Sequence, residues 1–256
     1  MENKLIQTDP SDLLKTQTNA RIGLGNVGGS LPTQQTLSLK LDHARAKDAV
    51  FSPLETEKLI NDLSIFNLPF FFLKSKAENK IEYLKRPDLG RKLDASSVEI
   101  LKKSNEKPDI VLVITDGLSA DAVNSQVIEV LRMIIPEFTK KHKLALVLVE
   151  NGRVAIADEI GEFLNAQFTA IFIGERPGLS SPQSMGIYTT FQPKVGLTDE
   201  SRNCISNIHP EGLSAAQAVQ ILNYYMGESF RNAYSGFKLK LELNLIGEQK
   251  NTPTIG

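Results

Sequence analysis

Ile110-Val111-Leu112-Val113-Ile114-Thr115-Asp116-Gly117 is the stretch that decides the fold: five apolar residues in a row, then a polar turn ending in glycine. The same phrase recurs twice downstream. Leu144-Ala145-Leu146-Val147-Leu148-Val149 runs into Glu150-Asn151-Gly152-Arg153, and Thr169-Ala170-Ile171-Phe172-Ile173 runs into Gly174-Glu175-Arg176-Pro177-Gly178-Leu179. None of the three alternates apolar with polar residues, which is the pattern of a strand covered on both faces in a parallel sheet. The segments between them, 118–141 and 155–165, have the length and composition of helices. The repeated strand–helix–strand order therefore predicts a doubly wound α/β sheet.

That architecture directs attention to the carboxyl ends of the strands, where open parallel sheets bind ligands. Here those ends carry Asp116 and Gly117, then Asn151, Gly152, Arg153 and Val154, then Gly174, Glu175 and Arg176. Glycines let a backbone come close to a ligand, and the charged residues orient it. Loops are commonly polar and glycine-rich, but three consecutive strand ends of this kind point to a shared crevice.

Composition narrows the classes. The chain has 256 residues, 41% hydrophobic and 23% charged, enough for one large domain with an accessory region. A formal net charge of −1 gives no basic excess for nucleic acid or an acidic membrane surface. Cys204 is the sole cysteine, so no internal disulfide forms and nothing suggests secretion. With only His209 nearby it makes no zinc site. No apolar run has the length of a membrane span, and the first fifteen residues, polar and mixed in charge, do not read as a signal peptide.

Along the chain, Asp9 or Ser11 is placed to cap a short helix beginning at Leu13-Leu14. Gly23-Leu24-Gly25-Asn26-Val27-Gly28 matches the dinucleotide fingerprint literally, but a polar stretch precedes it and Gly29-Ser30-Leu31-Pro32 follows it. A buried strand before and a helix starting within are required, so the match is set aside. Residues 33–51 have helical spacing, with Leu37, Leu41, Ala44 and Ala49 near one face; His43 within it is assigned no role. A second helix is predicted over 54–66, with Pro53 at its first position and a capping box from Ser52 and Glu55. Leu68-Pro69-Phe70-Phe71-Phe72-Leu73 reads as a strand or a docking surface. A basic turn at 85–93 precedes a helix over 94–103, and the charged stretch 102–108 marks a boundary into the sheet. Tyr188-Thr189-Thr190-Phe191 and 204–210 read as further strands, and 214–231 as the last helix, with Ala218, Ile221, Leu222 and Tyr225 on one face. In the tail, Phe237, Leu239, Leu241, Leu243 and Leu245 alternate with mostly polar residues, the pattern of a half-buried edge strand that must be covered.

No catalytic constellation is visible: there is no G-x-S-x-G elbow, no metal-spaced histidine pair and no Walker loop. Glu175 is placed to be a general base or a hydrogen-bond acceptor for a ligand, and Arg176 beside it favours the second role. The residues thus describe a ligand-binding α/β domain without a self-sufficient active site. A self-contained nucleotide-binding enzyme is the alternative reading; a purely structural protein, resting on the tail and the aromatic run, is a third.

Five segments together carry a resemblance: Arg86-Pro87-Asp88-Leu89-Gly90-Arg91, Ile114-Thr115-Asp116-Gly117-Leu118-Ser119-Ala120-Asp121-Ala122, Asn151-Gly152-Arg153-Val154, Gly174-Glu175-Arg176-Pro177-Gly178-Leu179 and Cys204-Ile205-Ser206-Asn207-Ile208-His209. Their order and spacing over residues 12–236 resemble the small (light) subunits of ethanolamine ammonia-lyases. The resemblance implies an adenosylcobalamin-dependent lyase that converts ethanolamine to acetaldehyde and ammonia by a radical route. Homolysis of the cobalt–carbon bond gives an adenosyl radical that abstracts a substrate hydrogen. It implies a hetero-oligomer with a TIM-barrel large subunit that carries the substrate site, while a Rossmann-like small subunit closes over the cobalamin. By the same resemblance the cofactor-binding residues are Val154, Glu175 and Cys204; none is catalytic and none binds a metal. Cys204 is then a backbone or packing contact, or simply a buried core cysteine. The chain lacks the Asp-x-His-x-x-Gly pattern that supplies a cobalt ligand in other cobalamin proteins. The setting implied is cytoplasmic, with a bacterial microcompartment as the family's other location. The N-terminal extension implicated in encapsulation is short here, and the tail after Gly236 has no family role. The expected organisation is a mainly helical region over 1–107 and a Rossmann-like α/β domain over 108–236, its mostly parallel sheet bearing helices on both faces. A tail over 237–256 follows, with a possible edge strand.

Overall fold

The three apolar runs lie side by side at the centre of one six-stranded sheet. The computed structural model describes residue 14 and residues 20–241. Its strands are β1 (Phe70–Lys74), β2 (Ile110–Thr115), β3 (Leu144–Glu150), β4 (Phe168–Gly174), β5 (Met185–Phe191) and β6 (Arg202–Ile208), in the order β1-β3-β2-β4-β5-β6. The first four run parallel; β5 and β6 turn back antiparallel. The helices are α1 (Thr33–Phe51), α2 (Thr56–Ser64), α3 (Lys80–Lys85), α4 (Ala95–Lys103), α5 (Ala120–Phe138), α6 (Ile156–Phe163) and α7 (Ala215–Asn232).

The unbroken apolar runs are explained by two cores. Ile110, Leu112, Ile114, Leu146 and Phe172 pack on one face beneath α2, α5 and α7. Val111, Val113, Val147, Val149 and Ile171 pack on the other beneath α4 and α6. Successive strand residues point to opposite faces, so a strand serving both cores has no position left for a polar side chain. Each such side chain contributes about 1.5–3 kcal/mol by leaving water. Helix α5 meets the first core through Val123, Val127, Val130, Leu131, Ile134 and Phe138, spaced by three and four. Helix α7 opens on a capping box between Ser214 and Gln217 and buries Ala218, Ile221, Leu222 and Tyr225, the face read from the sequence.

Several local expectations are corrected. Ser52 does not cap α2, which starts at Thr56 without a side-chain cap. Its hydroxyl accepts from the Asp121 N–H, at the start of α5. Asn124 of α5 donates to the Pro53 carbonyl and accepts from the Glu55 N–H, both at 3.0 Å, which draws residues 53–55 out of the helix. The aromatic run is strand β1, at the sheet edge beside β3. Helix α3, capped by Asn79, has no counterpart in the sequence reading. On α1 only Ala49 is buried; Leu37, Leu41 and Ala44 face away from the body. The tail is not a strand over 237–241: Leu239 is buried against the first core and Tyr224 donates to the Lys240 carbonyl. Leu243, Leu245 and most of the helix expected from Asp9 onward lie outside the described residues. The residues of 23–28 form an irregular loop closed by a Val27–Ser30 bridge, with α1 starting only at Thr33.

Candidate functional site

At the carboxyl ends of β2 and β4 the glycines serve the chain itself. A Cβ on Gly117 would stand 2.3 Å from the Gly174 carbonyl oxygen, and one on Gly174 would stand 1.9 Å from that of Ser119. Gly117 also has φ +56°, a region L side chains rarely adopt. The two loops are in backbone contact, so no ligand fits between them. Asp116, buried, is taken up in the same way: it accepts from Lys80 Nζ and the Asn151 N–H, both at 2.8 Å. Tyr83 lies fully buried beneath, with Arg153 stacked 4.0 Å and Lys80 Nζ 5.0 Å from its ring centroid. Burial raises the Tyr83 pKa well above its ordinary value, so its hydroxyl stays protonated and donates to the Gly152 carbonyl. The Arg153 N–H bonds the Gly90 carbonyl at 2.7 Å, and a Cβ on Gly90 would reach Arg153 at 2.8 Å. These contacts fix the turn that presents Val154.

Val154 opens onto a cleft of about 660 Å³, lined also by Pro87, Arg91, Arg153, Tyr188 and Asp199. Tyr188 is the hinge of the site. It projects from β5 on the face away from α7, opposite Ile187, and pairs in register with Cys204 of β6. The Tyr188 hydroxyl and the Cys204 thiol lie close enough to shift one another's ionisation. Burial, then Cys204 and then Glu175 raise the Tyr188 pKa far above its ordinary value. Burial also pushes the Cys204 thiol up, the neighbouring Tyr188 hydroxyl offsets part of the rise, and the Glu175 charge adds to it. Cys204 itself is exposed. Solvent reaches it from the open side while Tyr188 and the sheet crowd the sulfur from beneath, so an exposed residue still carries a desolvated thiol. A thiol so held is protonated at neutral pH and is not a nucleophile.

Glu175 lies half-buried at the end of β4. Its Oε2 accepts from Ser184 Oγ at 2.5 Å and from the Asn207 N–H at 3.2 Å. Oε1 lies over Gly186, where an added Cβ would come within 2.9 Å. The carboxylate is thus laid flat along the sheet by partners from β5's entry and β6.

Below the cleft, Asp158 of α6 and Arg202 of β6 form an ion pair at 2.7 Å, with side chains only 3% and 2% exposed. Arg202 also donates to the Leu197 and Thr198 carbonyls, holding the loop that lines the cleft beside Val154. Burial pushes the Asp158 carboxyl up to about 6, against the opposing pull of Arg202.

Of the three residues expected to bind a cofactor, Val154 and Cys204 flank Tyr188, and Glu175 is close enough to raise the pKa of both Tyr188 and Cys204. Cys204 is on an open sheet face, which removes the core-cysteine alternative. Tyr188, Ser184, Asn207 and the Asp158–Arg202 pair were not singled out from sequence. Tyr188 sat inside a correctly read strand, but only the β5–β6 register brings it to Cys204. Among the described residues no three His, Cys, Asp or Glu side chains gather as a metal site, and no helix is long and apolar enough to cross a membrane.

The chain was compared with known proteins. Residues 8–240 match the family model described as Ethanolamine ammonia-lyase light chain (EutC). A protein of Azotobacter vinelandii named ethanolamine ammonia-lyase small subunit is 46% identical over 240 residues, covering 91% of this chain and 89% of the relative. Like-named proteins are 44% identical in Ralstonia nicotianae (92% and 89% covered) and 40% identical in Bradyrhizobium diazoefficiens (94% of each). A match over nearly the whole length, by sequences that share the same name, places this chain in the ethanolamine ammonia-lyase light-chain family.

Proposed function

We propose that this chain is the cofactor-holding small subunit of an adenosylcobalamin-dependent ethanolamine ammonia-lyase. The observation that carries this reading is the family match over residues 8–240. The grouping of Val154, Glu175 and Cys204 around Tyr188 supports it. We read the sheet as Rossmann-like, with the cofactor against its β4–β6 end and the large subunit closing over it.

The residues present fit such a group. The surface is an open shelf, suited to a broad, flat molecule that a second chain covers. Ser206 and Asn207 are exposed along it, and Glu175 would hold the group by accepting a hydrogen bond from it at Oε1. Val154 and the Tyr188 ring offer apolar contact beside it. His209 is engaged by Asn207 Oδ1 at 2.8 Å. Adenosylcobalamin, when bound, supplies the radical chemistry. The work of this chain is positioning: Glu175 fixes orientation, the neutral Tyr188 and Cys204 add no charge, and the Arg202–Asp158 pair holds β6 against α6 beneath.

The test is adenosylcobalamin-dependent release of acetaldehyde from ethanolamine by this chain, by the large subunit and by their mixture. Activity only in the mixture is expected. Turnover by this chain alone, or by no combination of folded chains, would overturn the reading.

A further inference from the structure

One wall of the cleft beside Val154 carries cations that the protein itself does not neutralise. Arg153 is half-buried, with its guanidinium laid on the Tyr83 ring and Nη2 donating to the Tyr83 carbonyl at 2.9 Å. Its Nε is enclosed and has no hydrogen-bond partner, and among the described residues no carboxylate forms an ion pair with it. Asp116, whose charge acts on the same tyrosine, is taken by Lys80 at 2.8 Å. A cation drawn out of water is costly to leave unpaired. Arg91 is exposed on the same wall and also has no ion pair among the described residues. The turn that carries it is fixed against Arg153: the Arg153 N–H bonds the Gly90 carbonyl at 2.7 Å, and a Cβ on Gly90 would meet the Arg153 stem. Arg86, in the same segment, shows the contrast, because Asp88 takes it through two bonds, at 2.9 and 2.7 Å.

The acids that line the cleft are engaged elsewhere. Asp158 is paired with Arg202 at 2.7 Å, and Glu159 Oε2 accepts from the Leu93 N–H at 2.6 Å. Asp199 stands out in solvent, with Arg202 Nε 3.8 Å away. Arg91 and Arg153 are left to face the cavity, and Lys92 adds a third positive charge. Two guanidinium forks at one opening suit an oxyanion with several acceptor oxygens, phosphate above all. The cleft is continuous with the shelf: Val154 and Tyr188 line it, and Tyr188 stands beside Cys204. The two surfaces differ in chemistry, since Glu175 on the shelf accepts hydrogen bonds and the cleft wall donates them. Adenosylcobalamin has parts that match both. Its corrin carries neutral amides, and its one free acid is the phosphodiester that leads to its base.

We propose that Arg91 and Arg153 form a subsite for the phosphodiester of adenosylcobalamin, received in the cleft beside Val154. This rests on the cofactor-holding reading above and extends it to a specific group of the cofactor. Arg153 is packed on Tyr83 and against Gly90, so replacing it would disturb the turn as well as the charge. Arg91 is exposed, so its replacement leaves the fold of this chain intact.

The experiment measures binding to the complex of both subunits by equilibrium dialysis, with adenosylcobalamin and with adenosylcobinamide, which keeps the corrin and adenosyl group but lacks the phosphate, ribose and base. Arg91→Gln is expected to weaken adenosylcobalamin about tenfold and to leave adenosylcobinamide within about twofold of wild type. Because the contact is between charges at an open cleft, high salt should weaken adenosylcobalamin binding by wild type and narrow its gap from the variant. Equal losses on the two ligands, no loss on either, or a gap indifferent to salt would overturn the inference and leave the cofactor-holding reading standing. Titration of the complex with inorganic phosphate separates a second source of the same chemistry. Phosphate binding that Arg91→Gln abolishes, with adenosylcobalamin affinity unchanged, would assign the cations to a free anion and also overturn the inference. Failure of the wild-type complex to bind adenosylcobalamin would overturn both.

Discussion

The two halves of the sheet meet solvent in different ways. Strands β1 to β4 run parallel between helical layers, and their carboxyl-end loops pack on one another through Gly117, Gly174, Gly152 and Asp116. Strands β5 and β6 run antiparallel with α7 on one face, and on the other they leave Cys204, Ser206 and Asn207 exposed. The glycine-rich ends that look most like a ligand cradle are closed by the protein itself. The candidate surface lies where the cover of helices stops, one strand further on. Parallel packing demands filled faces; a ligand shelf needs a face left bare.

The largest effect is expected at the base of that shelf. Arg202→Met strands the Asp158 carboxylate in a buried site and should cost about 3–5 kcal/mol, read from urea unfolding. The effect has a pH signature. Asp158 is pushed up from 3.8 to about 6, so the folded chain holds this proton more tightly than the unfolded one. Its contribution to stability is full below about pH 4 and is lost as pH climbs through about 6. Without Arg202 the rise is greater, so the Arg202→Met penalty should be smaller at about pH 5 than at about pH 8. A penalty that grows on acidification would break the account.

Next in size, Gly174→Ala in the closed half should cost about 3 kcal/mol, because its Cβ meets the backbone of Ser119 rather than a movable side chain. Ser206→Ala in the open half should stay within about 0.5 kcal/mol of wild type. Equal shifts in the two unfolding midpoints would erase the contrast between the halves.

Glu175→Ala should weaken adenosylcobalamin binding to the two-subunit complex about tenfold or more, as expected for losing a charge-assisted hydrogen bond. Gly186→Ala, which pushes on Oε1 without removing it, should cost a few-fold less than that. Equilibrium dialysis with both chains present distinguishes the two; unchanged affinity in both would remove Glu175 from the site. The smallest effect is expected for Cys204→Ser. Its thiol is protonated and lies beside the Tyr188 hydroxyl, so affinity should fall by about threefold or less and turnover should persist. Loss of turnover would assign Cys204 a chemical role that its environment does not support.

Local pattern carried much of this. The runs at 110–114, 144–149 and 169–173 have no polar position, so they had to be strands buried on both faces, and β2, β3 and β4 are that. Helices α4, α5 and α7 were legible as helical segments, α7 with its buried face, whereas the caps at Asp94 and Ser214 were not read. Val154 and Glu175 were legible as strand-end residues, whereas Cys204 entered only through its motif. What sequence alone could not supply was partnership. Ser52 has the chemistry of a cap, but the helix it serves is α5, because Asn124 draws the intervening chain away from α2. The periodicity of α1 groups Leu37, Leu41, Ala44 and Ala49, yet only Ala49 meets the body. Tyr188 and Cys204, like Asp158 and Arg202, become neighbours only through the pairing of β5 with β6 and the packing of α6. Composition and period act over a few residues and determine which elements form and which face is apolar. Which elements then meet depends on hydrogen bonds and contacts between distant segments, and only the tertiary structure decides that.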